Sequence, residues 1–202
     1  MSNLRTTALS HWLESQFSTQ KINLLPLTGD AGFRRYFRFA YQSKSYIAVD
    51  APVKLSNNQA FLNVQQILKD VSVNVPNIIH ADLEQGFLCL SDFGDMVLSE
   101  RLSSDNMQKY YAKAIVELDK MLTCSSVSVS TLPLYDEKFI FTELSIFTEW
   151  LLEKHLAIYL TAEEKIALTR CFDELVSAMV EQPKVFMHRD YPVSYTHLTL
   201  PT

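Results

Sequence analysis

The chain's glycines stop early. Gly29, Gly32, Gly86 and Gly94 are the four it has, and none follows. Tight hairpins and close backbone approaches lean on glycine, whereas helix interiors are weakened by it. A sheet is therefore expected before residue 94 and helices after it. The apolar pattern divides at the same place. Residues 22–28, 35–41 and 45–50 are short β-rich runs separated by Gly-Asp-Ala-Gly and by a polar Gln-Ser-Lys turn, which predicts an antiparallel meander. Residues 75–81 and 86–90 flank the stretch 82–85 and predict a hairpin in the same sheet. Leu4, Ala8, Trp12 and Leu13 give residues 4–17 a helical spacing. Phe61, Val64, Ile67 and Leu68 repeat it between the third strand and the hairpin, where Ser56 with Gln59 offers a capping box.

After Gly94 three helical stripes follow: Met107, Tyr111, Ala114, Leu118 and Met121; then Ile140, Leu144, Phe147 and Leu151; then Leu168, Cys171, Leu175 and Ala178. Each is expected to face a core, the last behind a Thr161/Glu164 capping box. Pro183 ends that helix, and Val185, Phe186 and Met187 form a short β-prone run before His188-Arg189-Asp190.

Composition excludes several function classes. With 202 residues, 48% of them hydrophobic and 20% charged, the chain can bury one sizeable core or two small ones. Lys+Arg 18 against Asp+Glu 23 gives a net charge of -5 and no chain-wide basic face, so nucleic acid is not an expected partner. No apolar run approaches the roughly 20 residues that cross a bilayer, and the first 20 residues lack the continuous apolar stretch of a signal peptide. No membrane partner and a cytoplasmic location are expected. Cys89, Cys124 and Cys171 are an odd count with no CxxC pair and no histidine at ligand spacing, and are read as buried thiols.

One turn carries candidate chemistry by itself. Glycine at 29 and 32 lets backbone N–H groups approach phosphate oxygens, and Arg34 and Arg35 bring positive charge beside them. Gly29, Asp30, Gly32, Arg34 and Arg35 are thus candidate nucleotide ligands; the plain alternative is a hairpin turn with solvated arginines. Strand alternation sends the two arginines to opposite faces, and the sequence leaves open which one meets the cleft.

A β lobe, the connector Ser91-Asp92-Phe93-Gly94, a helical lobe and His188-Arg189-Asp190 occur in that order. Together they resemble the protein-kinase-like fold. The carriers are Gly29-Asp30-Ala31-Gly32-Phe33-Arg34-Arg35-Tyr36-Phe37-Arg38, Val49-Asp50-Ala51-Pro52, Leu90-Ser91-Asp92-Phe93-Gly94-Asp95, residues 135–156 and Val185-Phe186-Met187-His188-Arg189-Asp190-Tyr191. They narrow the resemblance, over residues 1–191, to the aminoglycoside phosphotransferase-like small-molecule kinases, and there to bacterial amino-sugar kinases acting on N-acetylmuramate and N-acetylglucosamine.

That resemblance implies an α+β, two-lobed protein-kinase-like fold. A five-stranded antiparallel nucleotide-binding lobe over 1–92 is followed by a partial helical lobe over 93–192, truncated after the catalytic-loop aspartate. It implies ATP-dependent phosphorylation of a small sugar in cell-wall recycling, with Asp190 receiving the proton of the acceptor hydroxyl. His188 and Arg189 become scaffold. The backbone at Leu90, Ser91 and Asp92 would meet the adenine edge, while Glu143 and Trp150 would meet the sugar; for these two the alternative is an exposed acid and a core aromatic. A choline, homoserine or aminoglycoside kinase is the alternative within the fold, and a non-catalytic nucleotide-binding pseudokinase the alternative without turnover. Oligomeric state is left open.

Two departures from the kinase pattern stand out. Kinases place a lysine on the third strand, paired to a glutamate on the next helix. Here that strand ends Ala48-Val49-Asp50 and the helix offers Gln65 and Gln66, which leaves the phosphate-binding cation unassigned. The asparagine that binds a metal ion would stand at position 195, where this chain has Tyr195, and no Asp-Phe-Gly-like ligand follows. No metal ligand is therefore assigned in this chain; those for Mg2+ are expected in a missing C-terminal part, and the chain is expected to be catalytically silent. Residues 193–202 carry no charge and look like the translation of a transposase adapter used in sequencing libraries. They are read as foreign sequence that packs poorly.

Overall fold

The computed structural model describes residues 2–27, 32–124, 132–189 and 191. Packing divides the chain into two compact units, Met1–Val129 with Phe186–Thr202, and Ser130–Val185.

The first unit is built on a sheet. Strands β1 (Leu25–Pro26), β2 (Arg35–Tyr41), β3 (Lys44–Asp50), β4 (Ile78–Asp82) and β5 (Phe87–Ser91) lie in the order β1-β2-β3-β5-β4, every neighbour antiparallel. The meander and the hairpin are present, and β1 is shorter than its apolar run suggested. Tyr41 pairs with Lys44, so Gln42 and Ser43 form a two-residue loop, both at positive φ, as the twist of a tight hairpin requires.

Each face of the sheet takes one helix. Helix α1 (Ser2–Gln16) sets Leu9, Trp12 and Leu13 against Phe37, Phe39, Ala48, Phe87 and Cys89. Leu4, expected on that face, is 78% exposed, because the buried stripe runs through Leu9. Helix α2 (Asn58–Asp70) covers the opposite face, where Phe61 and Leu62 pack on Val49, Leu88, Leu90 and Ile47. Asn57, and not Ser56, caps α2: its side chain accepts from the Ala60 N–H at 3.0 Å. A third cluster joins Leu68 and Val73 to Met121 of helix α3 (Met107–Leu122), with Phe186 and Tyr191 packed on it. Residues 183–188 form no strand, in contrast to the β-prone reading of 185–187; Phe186 packs by its side chain instead.

On α3 the buried face is Ala114, Glu117 and Met121, while Met107, Tyr111 and Leu118 of the expected stripe are exposed. In the second unit helix α4 (Glu137–Ile146) is capped by Asp136 and widens into a π-helical stretch over Phe147–His155. There Leu156 N–H donates five residues back to Leu151 O. The wider turn breaks the i, i+4 register, so Ile140 is buried but Phe147 and Leu151 are exposed. Helix α5 (Ala162–Val180) begins with the Thr161/Glu164 capping box expected of it. Its inward face is Leu168, Phe172, Val176 and Val180, one position round from the stripe expected through Cys171 and Leu175. Cys89 alone of the three thiols is fully buried, and Cys171 is exposed, contrary to the reading of all three as buried.

Candidate functional site

Three arginines stand at the start of β2 and along it, and strand alternation separates their fates. Arg35 pairs in register with Asp50 and faces α1. The Asp50 carboxylate is fully buried between two guanidinium groups: Arg5 of α1 donates from Nε and Nη2 to Oδ1 (2.8 and 2.5 Å), and Arg35 from the same atoms to Oδ2 (3.0 and 2.5 Å). Arg5 also donates to the Gln85 carbonyl at 2.9 Å. Both carboxylate oxygens are thus satisfied by charged donors, the condition for burying such a charge. The group ties α1 to the sheet.

Arg34 and Arg38 lie on the α2 face with Tyr36. Arg38 is neutralised: its Nε and Nη2 donate to Asp92 (2.6 and 3.1 Å) and its Nη1 to Asp95 (2.6 Å). Ser45 Oγ (2.5 Å) and the Gly94 N–H (2.8 Å) complete the shell of Asp92. Burial pushes the Asp92 carboxyl up, but the hydrogen bonds from Arg38, Ser45 and Gly94 outweigh it, and the net direction is down. Arg34 meets no carboxylate among the described residues. Its Cζ lies over the Phe61 ring, 5.1 Å from the centroid, Nη2 donates to the Asn57 carbonyl at 3.4 Å, and its buried Nε has no partner among the described residues.

The connector after β5 starts later than the sequence suggests. Leu90 and Ser91 are still in the ladder, and the Ser91 N–H donates to Asn77 O at 2.9 Å, while Asp92 turns out to the Arg38 network. Gly32 is exposed, and Gly29 and Asp30 lie outside the described residues. No lysine of β3 faces α2: Ile47 and Val49 occupy that face. On α2 the Gln65 amide donates to the Pro76 carbonyl at 3.0 Å, so the lysine–glutamate pair of kinases is absent here.

At the other end of the first unit, His188 and Arg189 are exposed, and Arg189 has φ 68°. A left-handed backbone at a non-glycine residue costs energy and is often kept where a loop must present the next side chain. That next residue, Asp190, lies outside the described residues. Tyr191 anchors the segment from the far side. Its hydroxyl donates to Ala114 O at 3.4 Å, and its ring lies 5.5 Å from that of His188. Burial, then the nearby Glu117 charge, push the phenol up. Glu117 is itself buried, with Oε1 bonded to Lys120 at 2.7 Å and Oε2 unpaired, and sequence reading missed it because an apolar Leu118 stands beside it.

Glu143 and Trp150 belong to the second unit, and both are exposed. Trp150 is 57% exposed, which excludes a core aromatic, and Lys154 Nζ covers one ring face at 3.7 Å. Among the described residues no three His, Cys, Asp or Glu side chains gather as a metal site, and no helix is long and apolar enough to cross a membrane.

A family model described as phosphotransferase enzyme family matches residues 23–193. The chain belongs to that family. Within the phosphotransferase family it is similar to the N-acetylmuramate/N-acetylglucosamine kinase of Pseudomonas aeruginosa, 38% identical over 169 residues, which are 83% of this chain and 49% of the relative. The kinase of the same name from Pseudomonas putida is 31% identical over 94% of this chain and 58% of its own length. The chain thus spans about half to three-fifths of the curated relatives it matches. The solved aminoglycoside phosphotransferase APH(4)-Ia superposes with a TM-score of 0.55 at 12% identity, covering 89% of this chain and 62% of that one. A thermostable mutant of it, in ternary complex with AMP-PNP and hygromycin B, gives 0.52 at 11%. The five-stranded antiparallel sheet with its helices is therefore the kinase-like fold of these phosphotransferases.

Proposed function

We propose that this chain is the nucleotide-binding part and catalytic-loop segment of an ATP-dependent small-molecule kinase. Its acceptor is the hydroxyl of an N-acetyl amino sugar, N-acetylmuramate or N-acetylglucosamine, in cell-wall recycling in the cytoplasm. The observation that carries the reading is the 31–38% identity to kinases of that name, together with a family match over residues 23–193 that takes in His188-Arg189-Asp190. AMP-PNP in a structural neighbour supports ATP as the donor. The lobes proposed from the family plan are 1–92 and 93–192.

In this reading Asp190 receives the acceptor's proton as its oxygen attacks the γ-phosphorus, and the adenosine diphosphate leaves with the electron pair of the broken P–O bond. Arg189 fixes the backbone ahead of Asp190, and Tyr191 holds it from behind. Glu143 and Trp150 remain the candidate sugar contacts. Among the described residues no cluster of His, Cys, Asp or Glu would hold magnesium. A pseudokinase is the second reading, and it is favoured only if the whole-length protein also lacks the asparagine and the metal-binding aspartate of the kinase pattern; Tyr195, in the adapter-like tail, does not speak for it.

The test is ATP-dependent phosphorylation of N-acetylmuramate, N-acetylglucosamine, choline and kanamycin by the whole-length protein and by residues 1–192. Sugar labelling by the whole-length protein is expected, with Asp190→Asn lowering kcat by roughly a hundredfold to ten-thousandfold and leaving ATP binding intact. The 1–192 chain is expected to transfer no phosphate. Preferred labelling of choline or kanamycin would overturn the substrate; a silent whole-length protein would favour the pseudokinase.

A further inference from the structure

The lysine that kinases use on the third strand has no counterpart here, since the α2 face of β3 carries buried Val49 and partly buried Ile47. A nucleotide triphosphate still needs a cation at its β- and γ-phosphates. Each described arginine of β2 and its entry meets a different fate. Arg35 is consumed by the buried Asp50, and Arg38 spends Nε, Nη1 and Nη2 on Asp92 and Asp95. Among the described residues Arg34 has no carboxylate partner, one weak contact at 3.4 Å, and a buried Nε without an acceptor.

Its position suits the missing role. Tyr36 pairs with Val49 across β2 and β3, so Arg34, two residues earlier on the same face, is the diagonal neighbour of Val49. Diagonal Cα atoms on such a face are about 7–8 Å apart, within the reach of an arginine side chain. The contact of its Cζ with the Phe61 ring restrains the guanidinium, so less rotamer freedom is left to lose on binding. A guanidinium already oriented, with no carboxylate partner among the described residues, is suited to a bidentate oxyanion.

We infer that Arg34, from the strand next to the usual one, is the cation that holds the terminal phosphates of the nucleotide, in place of a β3 lysine and to the exclusion of Arg35. The inference rests on the kinase reading and assigns its phosphate contact to one side chain. It divides the arginine pair by role: Arg34 binds nucleotide, while Arg35 locks α1 and the sheet through Asp50.

Calorimetric titration of the 202-residue chain with ATP, ADP and adenosine tests it, on the parent, Arg34→Met, Arg34→Lys and, as a control for one lost charge, Lys44→Met. The parent is expected to prefer ATP to adenosine. Arg34→Met should weaken ATP at least tenfold while leaving adenosine within twofold, Arg34→Lys should fall between, and Lys44→Met should match the parent. Thermal melts by circular dichroism establish that each variant is folded; if Arg34→Met is not, Arg34→Lys carries the test by its loss of preference for ATP over adenosine. Preference retained in the Arg34 variants overturns this assignment and leaves the kinase reading standing. A folded parent that binds neither ATP nor adenosine overturns both.

Discussion

At Gly86 the backbone has φ 74°, and a Cβ built there would lie 2.2 Å from the Ala51 carbonyl oxygen. That carbonyl is fixed, because it accepts from the buried Asn58 amide at 2.8 Å, and Ala51 N–H donates to Gly86 O at 2.8 Å. Gly94 has a similar φ of 81° but open space around it. The two glycines therefore separate steric from conformational cost. Gly86→Ala is expected to lose about 2–4 kcal/mol, since a strained left-handed residue is joined by a backbone clash. Gly94→Ala should lose only about 1–2 kcal/mol, the conformational share. Urea unfolding in a Trp150→Phe background, followed by the fluorescence of Trp12, which packs 5.8 Å from Phe87 in the sheet core, measures both. Equal losses would mean that the approach to Ala51 relaxes at no cost. At the same scale, Arg34 and Arg35 show what one residue of offset does on a strand. Alternation could have put Arg34, Tyr36 and Arg38 on one face from the sequence, but which face met α2 required the register with Asp50.

Among elements, strands were legible and helix faces were not. The runs 35–41 and 45–50 predicted β2 and β3 within one residue, because alternating apolar residues next to a polar turn admit one pairing register. On α3 and α5 apolar residues occupy more than one stripe, so spacing alone could not choose between adjacent faces, and the π-helical stretch after Ile146 shifted the register again. The start of α2 shows the same degeneracy, since Ser56, Asn57 and Asn58 are all capping types. The structure chooses Asn57, so Asn57→Ala should cost about 1 kcal/mol and Ser56→Ala close to none. Thermal melts of the two variants decide, and the reverse order would restore the Ser56 cap. The junction of β2, β3 and the connector has a pH signature. Asp92 is held below its ordinary value against burial, so the unfolded chain binds its proton first as the pH falls. Stability from this network is complete above about pH 5 and is lost as the pH drops past about 3.9 and through the folded value. Asp92→Asn should thus be less stable than the parent at neutral pH, with the gap closing toward pH 3. A gap that widens in acid would reverse the sign and remove Arg38 as the cause.

For the whole molecule, the order of elements was readable because sheet and helices are punctuated differently, whereas the candidate site depends on long-range pairs that spacing does not encode. Arg5 meets Asp50 across 45 positions, and Arg38 meets Asp92 across 54. Packing depth was likewise beyond composition, as the cysteines show. Cys89 sits in the cluster between α1 and the sheet, where burial pushes its thiol up to about 12. Cys124 is intermediate and raised by burial, and Cys171 is exposed on α5. The thiolate is the reacting species, so burial slows Cys89 and Cys124 both by limiting access and by raising their thiols, and access alone leaves Cys171 the open site. At pH 8 Ellman's reagent should therefore modify Cys171 first, Cys124 more slowly, and Cys89 only when the sheet opens. Addition of urea should release Cys89 with the same midpoint as Trp12 fluorescence, since both report the cluster between α1 and the sheet, and reactivity there follows the population of the open form. Peptide mapping after a short pulse assigns each site. If Cys89 reacted as fast as Cys171 in the absence of urea, α1 would not be seated on the sheet, and the Arg5–Asp50–Arg35 lock would not be holding it there.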